Sequence, residues 1–346
     1  MIKTDEIQVT CSLIPLKNKP PEPDALMELY TLIKGDNENF EEVVISLVKK
    51  HFNEALCLMM PALQTITINK IHIAISLAPS GSTLATYRTR QSDDIKGEYF
   101  FTANSTLIFE YILNYFIEDL SLSNAASTTW VHELIHMIDH RNLTELKYHP
   151  DKPDMVEAFV RLLLRFRNEG IAESYYLTKS HTHYRSIQAA RTPFIKTMNV
   201  LRNWRWNDKN LIVKCHLLFN GDSRLYNVGA WMILHILGCR EYPGYTPQAE
   251  IAAVKIKKRQ PMTEDEIMSI VHKALAIDNL TFIQYLTKPG TDGKPFVSYS
   301  DLYDLARTVE IGRADIVRDW SRPTQLTGDP NIIRLFRIMR PVPEYF

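Results

Sequence analysis

The sequence predicts an α+β chain, a short twisted sheet followed by a mostly helical C-terminal half. Two observations predict it. ITINKIHIAISLAP alternates with period two and is β-branched, with two more strands read in ATYRTRQSDDIKGEYFFTANSTLIF, whereas from Phe109 onward the apolar spacing turns helical. Strands first and helices afterwards is the order of an α+β fold rather than of a βαβ series.

The elements follow in chain order. The first 25 residues end in KNKPPEPD, a proline-rich arm or linker, and Ala25 through Cys57 has helical spacing at Leu26, Leu29, Tyr30 and Ile33. Residues 1–65 are therefore expected to form an N-terminal arm and helical region. Three strands come next, the last two turning around Asp93 to Gly97. Polar breaks at TELKYHPDKPD, SHTHYR, NGDSR and REYPGYTPQ divide the helical half. Thr263 and Glu266 have capping-box spacing and start a further helix, and DGKPFVSYSD precedes another near Asp301. The expected division is thus 1–65, a catalytic domain over 66–260, and a helical subdomain over 261–346.

Composition excludes several classes. Lys+Arg and Asp+Glu both number 40, so no global field draws nucleic acid or an anionic membrane. The basic, aromatic segment RSIQAARTPFIKTMNVLRNWRWNDK reads as a solvated helix face, with a nucleic-acid surface as the weaker alternative. Cys11, Cys57, Cys215 and Cys239 show no CxxC spacing and read as reduced core residues. No secretory leader or spanning segment is read in the sequence, so the expectation is a cytoplasmic chain, or one exported by a route without a classical signal.

The chemistry concentrates in TWVHELIHMIDHR, residues 129 to 141. Residues four apart on a helix differ by about 40° in direction and one turn in height, so His132 and His136 can aim at one metal ion. Glu133 beside them completes H-E-x-x-H, in which two histidines hold zinc and the glutamate takes a proton from water. The competing reading is a core helix with two hydrogen-bonded histidines. His140 lies two turns from His132, about 12 Å along the axis, too far to join them on one ion; it reads as a capping or surface residue. His181 and His183, an H-x-H pair in a polar loop, carry little weight.

A third ligand is expected in RFRNEGIAESYYL, where Glu169 and Glu173 lie one turn apart on one helix face. Met155 to Phe166 reads as a helix that Asn168-Glu169-Gly170 bends or restarts. Glu169 can complete a His-His-Glu set, and Glu173 can accept the outer N–H of a liganding imidazole. The alternative is two solvent-facing charges on an amphipathic helix.

HELIH followed by NEGIAESYY resembles the gluzincins, zinc peptidases whose second motif supplies a ligand glutamate and an acidic partner for a histidine. The NEG-x-A form is similar to the aminopeptidase N and leukotriene A4 hydrolase superfamily. LYNVGAWMILHILG, from Leu225 to Gly238, resembles that superfamily's Tyr-x-Lys-Gly-Ala helix, with Val228 in place of the lysine. The resemblance implies a zincin-like domain, zinc held by His132, His136 and Glu169, and Glu133 as catalytic base. It also implies Glu173 behind a ligand and Tyr226 on the oxyanion. The implied reaction is hydrolysis of a peptide or protein substrate held along an edge strand, expected at GEYFFTANS. The chain departs from the family in the 32 residues between His136 and Glu169, and in lacking a G-x-M-E-N segment before HELIH. A non-peptidase zinc hydrolase, or a binding protein on a zincin fold, remains the alternative.

Overall fold

The computed structural model describes residues 7–14, 40–64, 66–77, 84–88, 97–105, 107–108, 111–112, 120–142, 154–179, 224–240, 242–257, 260–279 and 281–282. Alpha and beta structure are mixed, with one four-stranded sheet. The expected helices over 25–39 and near Asp301, His181 and His183, and the basic segment over 185–209 lie outside these residues. The described elements fall into two compact units, one ending at Arg141 and the next beginning at Asn142. No helix among the described residues is long and apolar enough to cross a membrane.

The first unit contains strands β1 (Gln8–Leu13), β2 (Lys70–Ser76), β3 (Ala85–Tyr87) and β4 (Glu98–Asn104), with helices α1 (Phe40–Leu63) and α2 (Leu120–Asn142). The strand order is β1-β2-β4-β3. β1, β2 and β4 run parallel and β3 is antiparallel to β4. β1 arises from the stretch read as a linker arm. Its apolar residues Val9, Cys11 and Leu13 stand opposite Ile71, Ile73 and Ile75, so the strand extends the buried face of β2. GEYFFTANS, expected at the edge, is instead the interior strand β4; among the described residues the edges are β1 and β3. The difference follows from burial, because β4 buries four of its seven residues and needs neighbours on both sides.

Ile71, Ile73 and Ile75 of β2 and Tyr99, Phe101 and Ala103 of β4 are all at most 2% exposed. Their alternation sends one sheet face into the core. Phe52 of α1 meets Phe101 edge-on at 5.3 Å and Trp130 of α2 at 5.1 Å. Phe101 also meets Trp130 at 6.3 Å, so both helices pack on that face through one three-ring cluster. Gly97 opens β4 at φ 78°, a backbone that favours glycine, and its carbonyl accepts from the Asn69 and Lys70 amides.

The second unit contains α3 (Asp154–Lys179), α4 (Arg224–Leu237), α5 (Pro247–Lys257) and α6 (Glu264–Ala274). The Thr263 capping box is present: its hydroxyl accepts from the Glu266 amide and the Glu266 carboxylate accepts from the Thr263 amide. α3 is one continuous helix through Asn168-Glu169-Gly170, so it does not restart there. Gly170 is where α3 meets α4.

His51 on α1 is buried, stacked 4.5 Å from the Tyr111 ring, with Nδ1 3.1 Å from Glu54. Burial holds its pKa below the ordinary value and outweighs the opposing pull of Glu54. The folded chain therefore resists a proton that the unfolded chain accepts below about pH 6.5, so this contribution is complete above that pH and is lost on acidification. Melting temperature should fall between pH 7.5 and pH 5, and less steeply in His51→Gln. Equal pH slopes for the two proteins would contradict the assignment.

Candidate metal centre

The core packing of α2 sets where its polar residues go. Trp130, Val131, Leu134, Ile135, Met137 and Ile138 are at most 1% exposed. This broad apolar stripe fixes the rotation of the helix and leaves His132 and His136 half-buried on its flank. Their Nε2 atoms lie 3.0 Å apart, with the rings nearly perpendicular. Two imidazole lone pairs cannot hydrogen-bond each other, so one ring must donate from Nε2 or a cation must sit where both point. Tetrahedral zinc with Zn–N bonds of about 2.0–2.1 Å sets its nitrogens about 3.3 Å apart. The observed spacing is within a few tenths of an ångström of that requirement, so the donor pair fits the metal.

Glu133 is buried, and its Oε2 accepts the Tyr87 amide of β3 at 2.7 Å. The candidate base therefore stands at the edge strand. His140 differs from its expectation as a cap or surface residue: α2 runs past it, it is half-buried, and its Nδ1 lies 3.2 Å from the Tyr87 hydroxyl.

On α3, Glu169 and Glu173 are half-buried one turn apart. His132 and His136 belong to the first unit and Glu169 to the second. Two nitrogens and a carboxylate oxygen are a donor set suited to catalytic zinc.

Two features that the sequence reading did not weigh hold α3 in place. Arg167, 2% exposed, donates from Nε to the Ile277 carbonyl at 2.7 Å and from Nη1 to the Asn168 Oδ1 at 2.9 Å. Glycines at the α3–α4 crossing are the second. A Cβ on Gly170 would fall 2.3 Å from the Gly229 carbonyl carbon, and one on Gly229 would fall 2.2 Å from the Phe166 carbonyl oxygen. The two backbones thus touch where no side chain fits. Glu169 adjoins this crossing on α3, and half-buried Tyr226 precedes it by one turn on α4. The glycines of NEG and VGA are accounted for by packing alone.

Comparison with protein-family models, curated proteins and solved structures returns no match. The gluzincin resemblance therefore rests on the residues quoted for it.

Gly229→Ala should cost about 1–3 kcal/mol, the range for overpacking, because the atoms its methyl meets are backbone and cannot swing aside. Denaturant unfolding measures this, and a stability within a few tenths of a kcal/mol of wild type would contradict so close a crossing.

Proposed function

We propose that the chain is a zinc-dependent metallopeptidase of gluzincin type on a zincin-like fold. His132, His136 and Glu169 hold the zinc, Glu133 is the base, Glu173 backs a ligand and Tyr226 serves the oxyanion. The observation that carries the reading is the His132–His136 pair, whose Nε2 atoms lie 3.0 Å apart, near the spacing that tetrahedral zinc sets between its nitrogens. The position of Glu133 against β3 adds support, since it sets the base beside a strand at the margin of the sheet.

Bound zinc would supply Lewis acidity, acidifying a water and polarising the scissile carbonyl. Glu133 accepts the proton of the attacking water and delivers it to the leaving amine. Tyr226 donates its O–H to the charge that develops on the carbonyl oxygen. Glu173 accepts the outer N–H of a ligand histidine and so fixes its tautomer.

The purified chain should bind about one zinc, with His136→Ala or Glu169→Ala removing most of it by elemental analysis. Glu133→Gln should retain the metal and lose nearly all hydrolysis of a peptide library. Zinc binding without hydrolysis of peptides, but with turnover of an ester, would favour a different zinc hydrolase.

Tyr226→Phe should lower kcat on the order of 10²-fold with little change in KM, because the interaction is made mainly in the transition state. An unchanged single-turnover rate would remove Tyr226 from the mechanism and leave the metal site standing.

A further inference from the structure

Tyr87 makes two connections to α2, both at the candidate catalytic segment. Arg88 donates its amide to the Phe100 carbonyl at 2.8 Å, and Leu84 accepts the Asn104 amide at 2.9 Å. In an antiparallel pair the backbone groups face the partner at every second residue, so 84, 86 and 88 turn toward β4 while Ala85 and Tyr87 turn outward. The Tyr87 amide thus points along the outer edge of the sheet, where Glu133 Oε2 receives it at 2.7 Å.

The Tyr87 ring lies on the buried face, 5.4 Å from Phe101 and 5.9 Å from the His140 ring. Its hydroxyl reaches His140 Nδ1 at 3.2 Å. Glu133 and His140 are seven residues apart, two turns along the same side of α2. One edge-strand residue therefore contacts the helix on both sides of His136.

We infer that Tyr87 is a positioning residue for Glu133, its amide orienting the carboxylate and its hydroxyl holding α2 in register with the strand through His140. A carboxylate on a rotatable side chain sweeps several positions; one held by a backbone amide has a fixed direction relative to the edge. His140 acts as the far anchor of this tie and not as a metal ligand.

The structural part is tested without metal or substrate, by amide hydrogen exchange resolved at residues 85 and 87. The Tyr87 amide should be protected in the wild-type chain. Glu133→Ala should speed its exchange about 10- to 100-fold, the range for a lost hydrogen bond to a charged acceptor, while Glu133→Gln, which keeps an acceptor oxygen, loses less. Amides of interior β4 serve as the control for intact folding, and Ala85 should be unchanged. A Tyr87 amide that exchanges equally fast in wild type and Glu133→Ala overturns the tie.

The catalytic part rests on the peptidase reading and is tested with Tyr87→Phe, which deletes the His140 link and keeps the amide. On a fluorogenic peptide, kcat should fall about tenfold with KM and zinc content unchanged. A lower melting temperature with unchanged kcat for the folded protein would make Tyr87 merely structural. A wild-type chain that hydrolyses nothing overturns the peptidase reading and the catalytic meaning of the tie, whereas the exchange experiment still decides whether the tie exists.

Discussion

The packing of Trp130 against Phe52 and Phe101 is the contact on which the candidate site in the first unit depends. A helix laid on a sheet can rotate about its axis, and each rotation presents a different set of side chains. Trp130 is fully buried, and truncating such a side chain typically costs about 3–5 kcal/mol, so the rotation that buries it is strongly preferred. With Trp130, Leu134 and Ile138 committed to the core, His132 and His136 are left on the flank and Glu133 comes to the edge strand. The polar residues of HELIH take their places because the apolar ones have taken theirs.

In the second unit the equivalent constraint is an absence of side chain. The α3–α4 crossing brings Gly170 and Gly229 into backbone contact, closer than any residue with a Cβ permits. Arg167 adds a buried hydrogen bond to the Ile277 carbonyl, which ties α3 to the segment after α6. A buried guanidinium so engaged is costly to remove, since the carbonyl it satisfies would be left unpaired in the interior. Glu169 sits between these two fixed points, at the residue after Asn168 and before Gly170.

How much of this was legible in the sequence varied with the range of the interactions involved. The strands β2 and β4, the Gly97 turn and the Thr263–Glu266 cap are local patterns, and each is present. β1 carried a readable alternation at Val9, Cys11 and Leu13, but the prolines that follow it drew the segment into a linker. The order of strands was not readable, because β4 becomes interior only through pairing with β2 on one side and β3 on the other. Gly170 suggested a break in α3 for the usual reason, its low helix propensity. A tertiary contact overrides that propensity, and contacts between distant glycines leave no periodic trace. Within the site, the i and i+4 spacing of His132 and His136 is a helical property and was legible; the bonds of Tyr87 to Glu133 and His140 join a strand to a helix more than 40 residues away and were not.

The proposed metal centre is two imidazoles and a carboxylate. X-ray absorption at the zinc edge of the zinc-loaded chain tests it most directly, because it reads the donor atoms without reference to any substrate. Zinc held in this way has nitrogen and oxygen neighbours only, at about 2.0–2.1 Å, with the outer-shell pattern of two imidazoles. A sulfur neighbour at about 2.3 Å, or an imidazole count unchanged in His136→Ala, would contradict it.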